Sequence, residues 1–538
     1  MSKHGSTGTL TIFSLNYDST LPIYKQISRE LKVAIISGRL GGRTRLPATR
    51  TLAAELGVSR NTIMSVFDEL IAEGYIMSKV GSGTYVSESL PEEHLLPSAA
   101  IQSSWQEPAV GPSILSARGQ QMAQLAEQPL ANEIILSRPF CADLPAVEAF
   151  PIEAWGRLMR KNWQKITTVS PAHLQPAGYG PLQHSIARYL SAARFVRCVA
   201  SQVVVTSGSQ QSLDLVARLL IDPGDAVWVE EPGYIGARSV FSVTGARVIP
   251  VAVDGEGLNV EAGRKAEPHP RAIYISPSRQ YPLGATMTSA RRLEIVEYAN
   301  KIGAWIVEDD YDSEYRYDGM PLPAIQSLQK ADRLIYLGTF SKSLLPAIRL
   351  GYAVIPKDLI APFSTAMSVL TRPNSILEQM TLHEFISTGQ FATHLRRMRH
   401  LYLERQPVLL QHLERLLGDV LDVAPTSTGT HLTAYFKIDV DDVRFCDAAR
   451  MRGISLRPLS IHYMNEPKRM GLILGFASTP VPRIITGVER LAAITKEFLE
   501  QERLAQPSGY PGIADADSGG ADYLSGARAG RGAILRGE

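Results

Sequence analysis

The stretch Gly338-Thr-Phe-Ser-Lys-Ser-Leu-Leu-Pro-Ala-Ile-Arg349 places Lys342 shortly after a β-prone apolar run. An earlier apolar run, Trp305–Val307, ends at Glu308-Asp309-Asp310-Tyr311. Both runs therefore carry polar side chains at strand ends, which is where α/β sheets place ligands. A lysine that forms a Schiff base with pyridoxal phosphate needs a carboxylate at the pyridine nitrogen and donors for the phosphate. Lys342 and Asp309 have the residue types for the lysine and the carboxylate.

Around this pair, the chain from about residue 136 to residue 500 alternates β-prone runs with helical stretches. This alternation predicts an α/β fold with a mostly parallel sheet and flanking helices. Longer helices after residue 357, with strands at Leu432–Phe436 and Leu472–Phe476, predict a smaller C-terminal α/β subdomain. The runs assigned to the main sheet are Val203–Thr206, Ala226–Val229, Val248–Val251, Ala272–Ile275, Trp305–Val307, Leu334–Leu337 and Tyr352–Ile355.

Other residues of this region have the chemistry that the same cofactor would need. Tyr311 lies two residues after Asp309, on the same side of an extended chain, and could hydrogen-bond the ring's phenolic oxygen. Ser207-Gly-Ser-Gln210 leads from a strand into a helix N-terminus, where backbone N–H groups could hold the phosphate. Arg349, the last residue of the stretch that begins at Gly338, could supply a cation for it. Tyr234 could stack on the ring. Each residue type alone is common in loops and on surfaces, so it is their order and spacing that favours a cofactor site.

A separate pattern near the N-terminus predicts a DNA-binding head. Apolar residues recur at helical spacing in three stretches, and Ser59 is a good N-cap for the third. Helix, short turn and helix form the arrangement of DNA-reading motifs, and two short β-prone pieces after them predict a hairpin wing. Residues 39–60 carry five arginines against the single acid Glu55, which suits contact with phosphates. The predicted elements are helices Leu21–Ser37, Arg50–Leu56 and Arg60–Glu73 and strands Tyr75–Met77 and Thr84–Val86.

The composition narrows the class of protein. There are 55 Lys and Arg against 53 Asp and Glu, a net charge of +2, so charge is informative only locally. The 3 cysteines are widely spaced, which argues against a disulfide framework and against a metal site. Because the chain has neither a secretion-signal pattern nor a run of about 18 apolar residues, we expect a cytoplasmic protein without a membrane partner.

The head resembles the GntR-type winged helix. The similarity lies in Leu21-Pro-Ile-Tyr-Lys-Gln-Ile27, Arg45-Leu-Pro-Ala-Thr-Arg50, Leu56-Gly-Val-Ser-Arg-Asn-Thr62 and Gly81-Ser-Gly-Thr84. It implies that the third helix enters the major groove of double-stranded operator DNA while the wing approaches the minor groove. The residues expected at the DNA are Arg45, Thr49, Arg50, Ser59, Arg60, Asn61, Thr62, Lys79, Gly81, Ser82 and Gly83.

The larger region resembles fold-type I, aspartate-aminotransferase-like proteins. The whole chain is similar to the MocR/GabR group of bacterial regulators, in which a GntR head is fused to such a domain. The resemblance implies pyridoxal 5'-phosphate as cofactor and a homodimer with swapped heads. It assigns Lys342 to the Schiff base, Asp309 to the pyridine nitrogen and Tyr311 to the phenolic oxygen. Together with Tyr234, the other residues expected at the cofactor are Gly208, Ser209, Gln210, Thr339, Ser341 and Arg349.

Three departures from aminotransferases bear on the chemistry. Ile473, in Gly471-Leu-Ile-Leu-Gly-Phe-Ala477, aligns where these enzymes place the arginine that grips a substrate carboxylate. Gln280-Tyr-Pro-Leu-Gly284 lacks the usual asparagine, and His173-Leu-Gln-Pro176 lacks the usual aromatic residue. Arg238 or Arg457 could replace the missing arginine, but the sequence places neither of them at the site, and a surface position is the favoured interpretation for both.

These patterns lead to three functional hypotheses. The first is a transcriptional regulator that binds pyridoxal phosphate at Lys342 and senses an amino-containing effector or the cofactor itself. The second is a working aminotransferase with an appended head, against which the missing arginine argues. The third is a regulator that no longer uses the cofactor, which the intact Asp309, Lys342 and Arg349 disfavour. The predicted domains are a head at 17–87, a linker at 88–135, an aminotransferase-like domain at 136–502 and a disordered tail at 503–538.

Overall fold

The computed structural model describes residues 21–79, 82–88, 115–126, 138–168, 175–319, 322–328, 331–370, 374–423 and 426–505. These residues fall into two compact units divided between Leu115 and Ser116. Most of the expected linker, the wing-tip residue Gly81, the residues His173 and Leu174 and the tail after residue 505 lie outside the described residues.

The smaller unit is a three-helix domain with a β-hairpin. Its core is formed by the apolar faces of the helices, among them Leu31, Ile63 and Phe67. Gly57 ends the second helix in the left-handed region, with φ of 67°, so the chain turns sharply into the third helix. The winged helix-turn-helix prediction is confirmed, with element boundaries within about two residues of those expected. The elements are α1 (Ile23–Ile36), α2 (Thr49–Leu56), α3 (Arg60–Ala72), β1 (Ile76–Lys79) and β2 (Gly83–Val86).

The larger unit contains an eight-stranded sheet in the order β3-β10-β9-β8-β7-β4-β5-β6. Pairing is parallel from β9 through β8, β7 and β4 to β5, whereas β10 lies antiparallel between β9 and β3, and β6 pairs antiparallel with β5. The mostly parallel sheet is therefore confirmed. The strands are β3 (Val203–Thr206), β4 (Ala226–Glu231), β5 (Arg247–Asp254), β6 (Gly257–Leu258), β7 (Ala272–Ile275), β8 (Trp305–Asp310), β9 (Leu334–Thr339) and β10 (Gly351–Val354).

The central strands are buried on both faces. In β7, Ile273 and Ile275 belong to one apolar cluster, while Ala272 and Tyr274 belong to the other. Because successive side chains point to opposite faces, a strand buried on both sides reads as a continuous apolar run. This packing explains why the strands were recognisable in the sequence.

The C-terminal part forms a second, antiparallel sheet in the order β11-β12-β14-β13, as expected for a smaller subdomain. Its strands are β11 (Leu421–Val423), β12 (His431–Phe436), β13 (Arg457–Pro458) and β14 (Gly471–Gly475). The helices of the larger unit are α4 (Ala117–Ala126), α5 (Ile152–Lys165), α6 (Gly180–Arg194), α7 (Ser209–Leu220), α8 (Ile235–Val243), α9 (Val260–Ala266), α10 (Ser289–Ile302), α11 (Ile360–Leu370), α12 (Ile376–Ser387), α13 (Gln390–Leu417), α14 (Asp442–Met451) and α15 (Val481–Ala505).

The last helix, α15, continues to Ala505, so the described chain is helical slightly beyond the expected start of the tail at residue 503. Within the described ranges, no helix combines the length and the apolar character that a membrane crossing requires.

Candidate cofactor site and DNA-reading helix

A cavity of about 690 Å³ lies at the carboxyl ends of the parallel strands. It is lined by all ten residues that the sequence assigned to the cofactor: Lys342, Asp309, Tyr311, Tyr234, Gly208, Ser209, Gln210, Thr339, Ser341 and Arg349. These residues span positions 208–349, so it is the sheet, rather than proximity along the chain, that brings them together.

Lys342 is held in place by its backbone. The buried Tyr315 donates a hydrogen bond to the carbonyl of Lys342 at 3.1 Å, and His394 contacts the carbonyl of Ser343 at 3.0 Å. The side chain is about one-fifth exposed, and its Nζ donates to the backbone oxygen of Asp143 at 2.8 Å. The lysine is thus a positioned amine inside the cavity.

Asp309, near the end of β8, is almost fully buried. Its Oδ2 accepts a hydrogen bond from the hydroxyl of Tyr274 at 2.6 Å, while its Oδ1 has no partner among the described residues. Burial raises the pKa of Asp309 to about 6, although the hydrogen bond from Tyr274 lowers it. A buried carboxylate oxygen without a donor is energetically costly, and a pyridinium N–H would satisfy it. The site therefore fits the ring of the expected cofactor.

The hydroxyl group of Tyr311 can donate a hydrogen bond. Arg279, fully buried, donates to the Tyr311 hydroxyl oxygen at 3.3 Å. Burial raises the pKa of Tyr311 well above its usual value, so the hydroxyl stays protonated. Because Arg279 occupies one acceptor position of the oxygen, the hydroxyl hydrogen remains available for a ring oxygen.

The opposite end of the site is suited to an anion. Gly208 precedes α7 with φ of 124°, and no side chain caps the helix, so its first N–H groups are available. Gly351 approaches this turn so closely that an added Cβ would lie 2.7 Å from the Cα of Gly208. Arg349 is exposed, and no ion pair of its guanidinium is found in the part of the chain that the structure describes. An unpaired cation beside an uncapped helix N-terminus is a typical phosphate site.

Gln210 and Tyr234 contact each other in the cavity wall. The Tyr234 hydroxyl donates to Gln210 Oε1 at 3.2 Å, and Gln210 Nε2 donates to the carbonyl of Gly236 at 2.9 Å. The side chain of Gln210 is therefore engaged within the protein, and its backbone N–H is the group left for a phosphate.

The residues at which the sequence departs from aminotransferases can now be located relative to the cavity. Ile473 is fully buried in β14 and pairs with Arg457 of β13, which lines the cavity. Arg238, by contrast, donates to the carbonyls of Tyr463 and Ile461 and does not line the cavity. Of the two arginines that the sequence offered, Arg457 is therefore the one that lines the cavity. Gln280 donates to the carbonyl of Pro232 at 2.7 Å and is not among the residues that line the cavity.

Sequence reasoning missed Asp143, Tyr274 and Arg279. Tyr274 lies on β7, next to the strand of Asp309, and a polar aromatic residue in an otherwise aliphatic strand was the available signal. Arg279 contacts Tyr311 across 32 sequence positions. Asp143 is 199 positions from Lys342, and no local motif marks it.

In the smaller unit, α3 begins as expected. The side chain of Ser59 accepts a hydrogen bond from the backbone N–H of Thr62 at 3.1 Å, which caps the helix. Arg60 and Asn61 of the first turn are exposed, whereas Ile63, Val66, Phe67 and Leu70 pack inward. The first turn is therefore free to contact another molecule while the rest of the helix anchors it.

The wing is braced by its own side chains. Tyr85 donates to the carbonyl of Ser82 at 3.0 Å, and Lys79 lies 5.8 Å from the centre of the Tyr85 ring. Gly83 has φ of 120°, and an added Cβ would lie 3.0 Å from Nε of Arg45. Arg45 and Arg50 are exposed, as are Lys79 and Ser82, while Thr49 and Gly83 are partly buried. The predicted DNA-contacting residues that the structure describes are thus exposed or partly exposed.

Comparison with protein families identifies both units. Residues 23–86 match the bacterial regulatory proteins of the gntR family, and residues 160–470 match aminotransferase class I and II. A likeness to both within one chain agrees with the winged helix and with the cavity at the sheet edge.

Two regulators match most of the chain, and a solved aminotransferase structure matches about seven-tenths of it. The chain is 39% identical over 477 residues to a probable rhizopine catabolism regulatory protein, MocR, of Rhizobium meliloti, covering 89% of this chain and 94% of that protein. It is 29% identical to the pyridoxine biosynthesis regulator PdxR of Corynebacterium glutamicum, covering 86% and 94%. Among solved structures, the α-aminoadipate aminotransferase LysN of Thermus thermophilus, complexed with N-(5'-phosphopyridoxyl)-L-leucine, matches 71% of this chain and 98% of its own with a TM-score of 0.66 and 26% identity.

Proposed function

The chain belongs to the MocR type of transcriptional regulators, which join a GntR winged helix to an aminotransferase-like domain, and we propose that it binds pyridoxal phosphate at Lys342 to sense an amine. The effector is an amino-containing compound or the cofactor itself. Occupancy of the site changes the affinity of the head for its operator. Because a ligand shifts a two-state equilibrium only through unequal affinity for the two states, this proposal requires two forms of the protein that differ at the site and in DNA binding.

The observation that carries the proposal is that the predicted residues line one cavity, in which an acceptor and a cation have no partner among the described residues. Asp309 Oδ1 is a buried acceptor without a donor, and Arg349 is a cation without an ion pair in the described residues. Pyridoxal phosphate has the matching groups, a ring nitrogen and a phosphate, and when bound it supplies an aldehyde that reacts with amines. Lys342 is the amine that would hold it. Tyr311 would donate to the phenolic oxygen, and the N-terminus of α7 would hold the phosphate together with Arg349, Thr339 and Ser341.

Recognition of operator DNA is assigned to the first turn of α3. Arg60 and Asn61 are suited to guanine and adenine edges, and Ser59 and Thr62 to phosphate. Arg45, Thr49, Arg50 and the described wing residues Lys79, Ser82 and Gly83 would contact the backbone and the minor groove. A homodimer with swapped heads, bound to two half-sites, is the assembly that we propose for the regulator.

The test is the full chain loaded with pyridoxal phosphate, compared with Lys342→Ala and with the control Lys301→Ala, which removes an exposed lysine of α10. We expect the wild type and the control to show a visible absorbance band, which borohydride abolishes while fixing the cofactor covalently to the protein, and Lys342→Ala to show neither the band nor the covalent attachment. Operator affinity of the wild type should change by about fivefold or more when an effective amine is added, and that of Lys342→Ala should not change. A colourless wild type, or a Lys342→Ala variant that still responds to the amine, would refute the proposal. Sustained keto-acid formation over many turnovers would instead favour an enzyme.

A further inference from the structure

Asp143 lies inside the cavity, between its two central cations. One carboxylate oxygen, Oδ1, is 3.3 Å from Nζ of Lys342, and the other accepts hydrogen bonds from Arg457 and, at 3.2 Å, from Tyr281. The backbone oxygen of Asp143 accepts a further bond from Lys342 at 2.8 Å. Asp143 therefore occupies the guanidinium of Arg457 as a carboxylate from a ligand would.

The backbone around Asp143 supports a dedicated role. Phe140 and Asp143 both lie in the left-handed region, with φ of 67° and 68°. A residue with a side chain adopts that conformation at an energetic cost, which persists where surrounding contacts outweigh it. Phe140 is fully buried, and its N–H donates to the hydroxyl of Thr479 at 3.0 Å. These contacts anchor the backbone of residues 140–143 to the core of the larger unit.

Asp143 remains charged in this position. Burial works against its ionisation, but the charges of Lys342 and Arg457 outweigh burial and hold its pKa well below the usual range. Burial, assisted by the charge of Arg457, lowers the pKa of His462 to about 3, and burial also lowers the pKa of His431 well below its usual value. Both imidazoles are therefore neutral at pH 7, and neither adds positive charge to this side of the cavity.

Among the described residues that line the cavity near Lys342, none is therefore an unpaired cation that could bind the carboxylate of a ligand. Among the described lining residues, the cations are Lys342, Arg349 and Arg457. Arg349 lies by the phosphate end of the site, and Arg457 is already neutralised by Asp143. A ligand carboxylate at Arg457 would meet the like charge of Asp143 or would have to displace it, leaving a largely buried carboxylate without its partner Arg457. Both alternatives are unfavourable.

An ammonium group meets the opposite situation. The two oxygens of Asp143 that Lys342 contacts are acceptors, and one of them is charged. Oxygens that accept from one ammonium group can accept from another when Lys342 is tied to the cofactor. The same side chain that excludes a carboxylate thus attracts an amine.

We propose that Asp143 makes this site selective for amines that carry no carboxylate. This inference rests on the proposed function, since it names the chemical class of the effector at the same site. Asp143 is a specificity-determining residue, and Arg457 is the group that it masks. Removing the charge of Asp143 should open the site to amino acids.

The experiment uses the full chain loaded with pyridoxal phosphate and ligand pairs that differ by one carboxylate: ethanolamine and serine, putrescine and ornithine, histamine and histidine, tyramine and tyrosine. Binding is followed by the shift of the cofactor's absorbance band and, separately, by operator affinity. The variants are Asp143→Asn, Arg457→Gln and the double variant. Asp422→Asn, which alters an exposed ion pair with Arg469 in the same unit, is the control.

In the wild type and the control, the amine of at least one pair should bind at least about tenfold more tightly than its amino acid. Asp143→Asn should reduce or reverse that ratio by a similar factor, and adding Arg457→Gln should remove the affinity gained for the amino acid. Binding of amino acids only by Asp143→Asn would also support the inference. Amino acids that bind the wild type as tightly as their amines, or ratios that Asp143→Asn leaves unchanged, would overturn it, as would the absence of binding to both proteins. These results are read only in proteins that show the absorbance band, since a wild type without the band refutes the proposed function instead.

Discussion

Asp309, the residue proposed to bind the pyridine nitrogen, also affects the stability of the protein. Its pKa in the cofactor-free protein is about 6, above the ordinary 3.8, because burial disfavours the charged form. The folded state therefore binds a proton more tightly than the unfolded state does. The stability that this proton contributes is complete below pH 3.8 and is lost as the pH rises through 6. At neutral pH the ionised carboxylate is a cost to the folded protein, which a pyridinium partner would relieve.

Asp309→Asn should consequently have opposite effects with and without cofactor. At pH 7.5 we expect the cofactor-free variant to be more stable than the wild type by about 1 to 3 kcal/mol, with a smaller gain as the pH approaches 4. Cofactor affinity should fall by about tenfold or more, because a charge-assisted hydrogen bond is lost. Denaturant unfolding and equilibrium dialysis measure the two effects. Asp332→Asn, at an exposed aspartate, should change neither. A variant that is destabilised at pH 7.5 and retains cofactor normally would contradict this role for Asp309.

The residues of the site differ in how far the sequence could identify them. Lys342, Asp309 and Arg349 follow predicted strands at recognisable spacings, so local patterns were sufficient to predict that they lie close together, as they do around the cavity. Asp143 could not be found in this way, because its partners lie 199 and 314 positions away and its role depends on charges that only the fold brings together. Sequence comparison with aminotransferases exposed the missing arginine at Ile473, but only the pairing of β13 with β14 locates Arg457 at the cavity.

At the scale of elements, α3 combines an inward apolar face with an exposed first turn. Its four inward residues are buried, its N-terminus is capped by Ser59, and Arg60 is exposed in the first turn. A side chain at that position can be truncated without removing core contacts, so a change in DNA affinity reports on recognition and not on folding.

Arg60→Ala should weaken operator binding by about 1 to 3 kcal/mol if the side chain reads a base. The loss should be much smaller on unrelated DNA, because only base contacts discriminate between sequences. Arg29→Ala, which removes an exposed arginine of α1, is the matched control and should have little effect on that discrimination. Fluorescence anisotropy with operator and scrambled duplexes at several salt concentrations measures both quantities. Equal losses on the two duplexes, with a reduced salt dependence, would identify Arg60 as a phosphate contact.

Elements were more predictable from sequence than their arrangement. Strands buried on both faces, such as β7, give continuous apolar runs, and Ser59 and Gly57 mark the ends of helices by their local chemistry. The position of β10 between β3 and β9 was not predictable, because strand order depends on contacts between segments about 150 residues apart. The ends of strands were also underestimated: β8 includes Glu308, Asp309 and Asp310, whose polar side chains interrupted the apolar pattern.

At the scale of the larger unit, acids are concentrated and buried near the ends of its strands. Burial raises the pKa of Glu230 to about 8 and those of Glu308 and Glu314 to about 7, in each case against partly opposing hydrogen bonds. Their ordinary value is 4.5. Each of these groups is therefore protonated in the folded protein at a pH where it is ionised in the unfolded chain, and such buried acids make stability depend on pH.

The free energy of unfolding of the cofactor-free protein should therefore fall as the pH rises from 6.5 to 8, by about 1 kcal/mol or more. The stability supplied by the three glutamates is complete below their ordinary pKa and is lost as the pH rises through 7 and 8. The buried or partly buried histidines His383, His394, His431 and His462 have lowered pKa values and oppose this trend. Their imidazoles lose most of their protons in the unfolded chain by about pH 7.5, so the upper part of the window reports mainly the acids. Urea unfolding followed by tryptophan fluorescence reports mainly on the larger unit, which contains four of the 5 tryptophans: Trp155, Trp163, Trp228 and Trp305.

A matched variant assigns the pH dependence to particular groups. Glu230→Gln keeps a side-chain oxygen for the backbone N–H of Ser276, which donates to Glu230 at 3.3 Å, but cannot ionise. We expect it to flatten the decline between pH 7 and 8, where Glu230 titrates, and to leave the decline near pH 7 that arises from Glu308 and Glu314. Glu261→Gln, at an exposed glutamate of α9, should preserve the wild-type curve. A wild type whose stability is constant or rises over this range would mean that the three carboxyls are not protonated in the folded protein, and that the cavity edge carries their negative charge instead.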